Sequence, residues 1–380
     1  MERDSRSLLE AALREHVATG CPGVILEISA PSLGFTFSGA EGFFARDNSR
    51  RLRTDDVFRA ASVTKAVTAA TAVRLASHHR WNLDDPITPL LPPKAIEHLS
   101  QLKGLKSIDE LTIRRLLNHS SGLPDYFFDE GFQAQVKAKP DRVWHSEELI
   151  EAASATGQLL FPPGTDFAYG DTSYALVGIA IEQLLGCPLA EAYRSLIFAP
   201  LEMQATYLEG HEASRSGEIS HHYDGSRDLW DANLSFDWAG GGLVTTAGDL
   251  IEFMHGLFGN VLFDERWLYQ LTSWRNETRW RPHSSARYLR YGLGLGTNIA
   301  FGEELVGVTG VWGAFAYYWP NGNAAIAGTL NLVGADRPAL IDAAIVALKR
   351  LPSARKFQSS GSSVKLPNCH SVRFIESTLD

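Results

Sequence analysis

Little in this chain points to a cross-linked, metal-bound or membrane-spanning protein. Of its 380 residues only three are cysteine, Cys21, Cys187 and Cys369, far apart and odd in number, so no disulfide framework is expected. There is no Cys-x-x-Cys pair and no His-Glu-x-x-His, which leaves a zinc site without donors; no metal and no cofactor is expected. No apolar run approaches the roughly 20 residues that a membrane-spanning helix requires, so no membrane partner is expected. The opening Met1-Glu2-Arg3-Asp4-Ser5-Arg6 carries acids where a secretory signal would carry an apolar core. A reduced, cytoplasmic protein is the expectation. Positive charge is in the minority as well: 35 Lys and Arg against 44 Asp and Glu leave a net charge of −9, which argues against nucleic acid as partner. What remains, 44% hydrophobic and 21% charged, is the composition of a globular chain.

Residues 6–19 read as an amphipathic helix with Leu8, Leu9, Ala12, Leu13 and Val17 on one side, stopped by Gly20. Strands follow at Val24–Ser29 and Phe35–Phe44, joined by a turn at Pro31-Ser32-Leu33-Gly34. A long Ala-rich helix begins near Ser62 and runs to about His79. Beyond it, helical segments at 112–118, 146–154, 172–185, 190–197 and 247–258 alternate with loops rich in Pro and Gly. Strand character returns at Tyr291–Ala300, Glu304–Val308, Ala314–Trp319 and Ala324–Leu330, with Asn321-Gly322 as a hairpin signal. A last helix spans Arg337 to Arg350, with Asp336 placed to cap it and Pro338 in its first turn. The expected fold is α/β. An antiparallel sheet flanked by helices is built from both chain ends, residues 1–80 and 286–350, with a mostly helical domain, 81–285, inserted. Residues 351–380 are Ser-rich and weakly periodic, and read as a loose tail.

Three short constellations carry chemistry. In Ser62-Val63-Thr64-Lys65 the serine and lysine lie three apart and share a helix face. Serine is a weak nucleophile without a base, and lysine serves as one only when neutral. A helix N-terminus favours negative charge and points backbone N–H groups at a developing oxyanion. Tyr169-Gly170-Asp171 closes a turn-rich loop from Phe161 and leads into a helix that Asp171 or Thr172 can cap. Val308-Thr309-Gly310-Val311 ends a strand and can supply a second oxyanion donor. Each also has an ordinary reading: a helix start with a surface lysine, a packed loop aromatic with a capping Asp, a Gly-containing strand end.

The order Ser-x-x-Lys, then Tyr-x-Asn, then Lys- or His-Thr-Gly resembles the superfamily of serine β-lactamases, D-alanyl-D-alanine peptidases and related esterases. Several connecting segments resemble its class C and esterase branch: Leu111-Thr112-Ile113-Arg114-Arg115-Leu116-Leu117-Asn118-His119-Ser120-Ser121-Gly122-Leu123-Pro124, Ala199-Pro200-Leu201-Glu202-Met203, and Ala239-Gly240-Gly241-Gly242-Leu243-Val244-Thr245-Thr246-Ala247-Gly248-Asp249-Leu250. The likeness spans roughly residues 10 to 350. It implies that Ser62 attacks a carbonyl to give an acyl-enzyme, while Lys65 and Tyr169 share the protons. Backbone N–H groups of Ser62 and Val311 would form the oxyanion hole, and Asp171, Val308, Thr309 and Gly310 would line the substrate cleft.

Two positions depart from the pattern. Asp171 stands where many members carry Asn, and Val308 stands where Lys or His is usual. The first adds negative charge. The second removes the cation that would meet a substrate carboxylate, so neutral esters or lactones are expected to outpace penicillins or D-Ala-D-Ala peptides. The leading expectation is a hydrolase of a small ester, lactone or amide. An acyltransferase of the same fold, and a catalytically silent binding protein, are the alternatives. His119 is expected to shape the cleft, and His221 and His222 to be exposed loop residues. Tyr126, Phe127, Phe128, Trp312 and Phe315 are candidates for an acyl or aryl pocket or for the core.

Overall fold

The computed structural model describes residues 2–47, 50–139, 141–231, 233–274 and 288–352. Helix α1, Glu2–Ala18, is followed by β1, Gly23–Ala30, and β2, Phe35–Gly42. The short strand β3, Phe58–Arg59, leads into α2, Thr64–Ser77. Helix α3, Thr172–Leu185, is followed by the short strands β4, Tyr207–Leu208, and β5, Leu243–Thr245, and then α4, Ala247–Phe258. The chain returns as β6, Arg290–Tyr291, β7, Gly296–Ala300, β8, Glu303–Thr309, β9, Phe315–Trp319, and β10, Ala324–Leu330, and finishes on α5, Arg337–Lys349.

Seven strands form one antiparallel sheet in the order β2-β1-β10-β9-β8-β7-β6. β1 therefore pairs with β2 on one side and with β10 on the other, Val24 lying opposite Leu330. With strands on both sides and helices over both faces, β1 can be apolar almost throughout. Val24, Leu26 and Ile28 enter the core beneath α1 and α5, while Ile25 enters the other one. Leu9 and Leu13 anchor α1 in the first of these, with Leu8, Ala12 and Val17 at its margin, as the periodicity required. Asp336 caps α5 by accepting from Ala339 N–H at 3.1 Å.

The expected sheet built from both chain ends is thus present. The strand expected over Tyr291–Ala300 is two strands, because Gly294 takes a left-handed φ of 74° between them. The helix at 190–197 is α-helical only over Leu189–Tyr193 and continues as a π-helical turn over Arg194–Phe198. Although α4 lies within the segment read as the helical insertion, it packs on β1, β9 and β10. Residues 353–380, most of the expected tail, lie outside the described residues, as does Cys369. Among the described residues, no single helix is long and apolar enough to cross a membrane.

The central element is α2, of which only Arg74 and Ser77 escape burial. Its small side chains let other backbone come close: a Cβ on Gly294 would stand 2.5 Å from Ala69 Cβ and 2.7 Å from Lys65 O. A small sheet, β3-β5-β4, fixes the start of the helix. Ala60 N–H donates to Leu243 O at 2.8 Å, and Leu243 N–H donates to Thr64 Oγ1 at 3.1 Å.

Candidate active site

Between β3 and α2 the chain turns sharply. Ala61 adopts a φ of 46°, a left-handed conformation that is costly for a residue with a Cβ, and Ser62 follows in a single 3-10 turn, Ala61–Val63. Lys65 lies in the first turn of α2, so Ser62 and Lys65 face each other as their spacing required. Lys65 Nζ donates to Ser62 Oγ at 3.2 Å and to Gly240 O at 2.9 Å, and forms an ion pair with Asp171 Oδ1. The Lys65 side chain is 0% exposed.

Tyr169 stands above this pair, with the Lys65 ammonium 4.9 Å from its ring centroid. Its loop is held from below by His119, whose own φ is 59°. Ala168 N–H donates to His119 O at 3.0 Å, Gly170 N–H donates to His119 Nδ1 at 3.4 Å, and the two rings lie 4.4 Å apart. Nδ1 as acceptor puts the imidazole proton on Nε2, which has no partner. Asp171 N–H donates to Asp125 Oδ1 at 3.1 Å, which fixes the end of the loop. The Tyr169 hydroxyl is buried and forms no hydrogen bond of ordinary length, although Ser62 is close enough to stabilise its ionised form.

The third motif is brought in by close packing. A Cβ on Gly310 would stand 2.3 Å from Ala60 O, so glycine there lets the β8–β9 turn lie against the Ser62 turn. Val311, half-buried, is in that turn. Arg337 Nη1, from the first turn of α5, donates to Gly310 O at 3.0 Å and to Ala314 O at 3.3 Å and braces the turn from behind.

Charge in the site is concentrated. Burial pushes the Lys65 ammonium toward neutrality, but the Asp171 carboxylate and Tyr169 outweigh it and hold the lysine above its ordinary pKa. Burial also raises the Tyr169 phenol, against the pull of Lys65. His119 is pushed well below its usual range by burial and then by Lys65, so its ring is neutral. Asp125 is pushed up to about 7 by burial and by Asp171, and Asp237 up to about 8 by the same two causes. Three carboxyl groups, those of Asp125, Asp171 and Asp237, therefore act on one ammonium.

The structure brings Ser62, Lys65, Tyr169 and Asp171 together, with Gly310 and Val311 in the turn that packs on Ser62. Val308 corrects the expectation of an apolar cleft wall: its side chain is 0% exposed and belongs to the core on the α2 side. Strand alternation sends Thr309 the other way. Its side chain lines a cavity of 280 Å³ with Asn298, Leu305, Tyr317 and Arg337, and its N–H donates to Tyr288 Oη at 3.0 Å. His222 is likewise not an exposed loop residue. It is 3% exposed, beside Arg59 and 5.2 Å from the Trp312 ring. Tyr126 and Phe315 are core residues, whereas Phe128 is exposed and Phe127 and Trp312 are half-buried. Sequence reasoning missed Gly240 O, Asp125, Asp237 and Arg337. Gly240 lies within a segment read only as resembling the family, with no role attached to it.

Residues 10–350 match the family model for Beta-lactamase. The chain belongs to the Beta-lactamase family. Among curated relatives, esterase EstB of Burkholderia gladioli is 30% identical over 212 residues, covering 52% of this chain and 49% of the relative. Among solved structures, a D-stereospecific amidohydrolase from Streptomyces sp. is 27% identical at a TM-score of 0.75, covering 89% of this chain and 98% of its own. The D-amino acid amidase of Ochrobactrum anthropi SV3, complexed with L-phenylalanine, is 26% identical at a TM-score of 0.78, over 91% of this chain and 98% of its own. The chain spans about half the length of the curated relatives it matches.

Proposed function

We propose that the protein is a serine hydrolase of small carboxylic esters or amides that works through an acyl-enzyme on Ser62. The observation that carries this reading is the 3.2 Å hydrogen bond between Lys65 Nζ and Ser62 Oγ, buried beneath the Tyr169 hydroxyl, which makes no hydrogen bond of ordinary length and has Ser62 as a near neighbour. Ser62 Oγ attacks the substrate carbonyl and gives up its proton to the Lys65–Tyr169 pair. Because the two titrate together, the proton belongs to the pair. The N–H groups of Ser62 and Val311 hold the developing oxyanion, where each such donor is worth about 10²–10³ in rate. Tyr169 protonates the leaving group and then helps to activate water for deacylation.

The substrate's acyl group is proposed to be uncharged at the position where the family pattern has Lys or His. Val308 brings no cation there, and Arg337, on α5, is already engaged with Gly310 O and Ala314 O. Relatives described as an esterase and as amidases support the choice of ester and amide carbonyls. The test is to incubate the protein with a panel of neutral p-nitrophenyl esters and anionic β-lactams and to read intact mass. One acyl group on Ser62 is expected from the esters, little from the β-lactams, and none in Ser62→Ala. Label that persists in Ser62→Ala would remove the reading.

A further inference from the structure

The Lys65 ammonium has three N–H bonds, and the structure gives each an acceptor: Ser62 Oγ, Gly240 O and Asp171 Oδ1. To take the proton of Ser62, the nitrogen needs a free lone pair, so one of its own protons must first leave. Ser62 is the donor in that step, and Gly240 offers an amide carbonyl of negligible basicity. Asp171 is the only carboxylate among the three acceptors, and so the only one with an oxygen basic enough to take up that proton. The contact is enforced sterically, because a Cβ on Gly240 would stand 2.3 Å from Asp171 Oδ1, and glycine alone admits the carboxylate there.

We propose that Asp171 is the proton holder of the site. As Ser62 attacks, the Lys65 ammonium passes one proton to the Asp171 carboxylate. The freed lone pair takes the Ser62 hydroxyl proton, and the serine oxygen bonds to the carbonyl carbon. When the bond to the leaving group breaks, the Tyr169 hydroxyl proton goes to that group. Lys65 then reprotonates Tyr169, and Asp171 returns its proton to Lys65. The balance closes: one proton has moved from Ser62 to the leaving group, and Lys65, Asp171 and Tyr169 end as they began. Asp171 acts through Lys65 and is a positioning residue. An asparagine, which many family members carry at this position, can accept a hydrogen bond there but cannot store the proton. This inference rests on the acyl-enzyme reading of Ser62.

The groups that act on Lys65 are Ser62 on its own helix turn, Tyr169 and Asp171 at the head of α3, Tyr174 within α3, and Gly240 O. His119, Asp125, Asp237 and Tyr288 act on it from the surrounding loops. In Asp171→Asn the base must be freed by losing a proton to water. The kcat/KM for a neutral p-nitrophenyl ester should then gain an acid limb, falling about tenfold per pH unit below the pKa that Lys65 then has. The wild-type chain, which frees the base internally, should lack that limb. Removing the Asp171 charge also relieves Asp125 and Asp237 and moves their titrations to lower pH, the opposite direction, so they cannot imitate it. Asp171→Glu, which keeps a carboxylate, should restore the wild-type profile shape at a lower rate. Matching profile shapes in wild type and Asp171→Asn, or an acid limb that persists in Asp171→Glu, would overturn the proposal. Activity retained in Ser62→Ala would instead remove the acyl-enzyme reading and this one with it. An inactive Ser62→Ala beside matching Asp171→Asn profiles would remove this one alone.

Discussion

Between the sheet and helices α1 and α5, the polar side chains that face the core find partners, Ser5 and His16 on backbone and Tyr317 and Trp319 on the side chains of Asn298 and Glu303. Ser5 Oγ donates to Ala347 O at 2.8 Å, and the ring nitrogens of His16 lie 2.8 Å from Ala12 O and 2.9 Å from Asp336 O. Across the sheet, the core around α2 encloses Lys65, His119, Asp125 and Asp237. It leaves His119 Nε2 and Asp125 Oδ2 without hydrogen-bond partners, and the Tyr169 hydroxyl without a hydrogen bond of ordinary length. Each such atom costs about 1–3 kcal/mol when buried. The same sheet therefore carries a face packed for stability and a face where stability is given up to hold ionisable groups out of water.

Three changes sharpen that contrast. The largest effect belongs to Tyr169→Phe, which should lower kcat/KM for an ester by about 10²–10⁴ through loss of proton transfer. Its thermal midpoint should stay level or rise, because the deleted hydroxyl is buried and makes no hydrogen bond of ordinary length; a drop in midpoint with activity retained would reverse the assignment of the two faces. On the other face, Leu340→Ala removes a fully buried side chain of α5. It should cost about 2–5 kcal/mol in denaturant unfolding. Its kcat/KM at a temperature where the variant stays folded should be unchanged, and a parallel loss of activity would show that the two faces are coupled through the sheet.

The smallest effect concerns pH. Asp237 is pushed up to about 8 in the folded chain by burial and by Asp171, whereas an unfolded Asp titrates near 3.9. Between those values the folded state binds the extra proton, so this group's contribution to stability falls as pH rises through the window and levels off above it. Asp125, pushed up to about 7, adds to the same slope. Asp237→Asn should flatten the decline in thermal midpoint from acid to mildly alkaline pH and leave the variant the more stable at the alkaline end. An unchanged slope would mean that Asp237 is solvated in the folded state.

The two faces also differ in how far the amino-acid sequence discloses them. Leu9 and Leu13 on α1, and the alternation of Val24, Leu26 and Ile28 on β1, follow from periodicity alone, because an apolar core asks only for spacing. The spacing of Ser62 and Lys65 put them on one helix face, but it fits a helix start with a surface lysine equally well, and the family pattern decided between the two. Tyr169 and Asp171 needed the family pattern, since no local rule sets a loop tyrosine over a lysine more than a hundred residues away. Asp125, Asp237 and Gly240 O were not legible. Each becomes a neighbour of Lys65 only through tertiary packing, and before that Asp125 reads as a cap for Phe127 N–H. Val308 was read to the wrong environment because register and burial, not motif position, decide what a strand residue touches. The short strand β8 presents Val306 and Val308 to one core and Leu305 to the other.

The pairing of β1 with β10 has a consequence for how the molecule is made. As a nascent chain emerges, the β1–β2 hairpin leaves β1 with one open hydrogen-bonding edge, which its partner cannot cover until residues near Leu330 have followed. Non-local pairing of this kind slows folding and leaves an edge open to wrong partners in the interval. The helices of the intervening segment pack largely on α2 and on one another and can consolidate first. The Ser62 turn, however, is closed over by Gly310, and α2 at Lys65 and Ala69 by Gly294, both of which arrive with the late strands. A half-made chain thus holds its serine and lysine without the turn that carries Val311, and reactivity toward acyl donors should appear only as the sheet is completed.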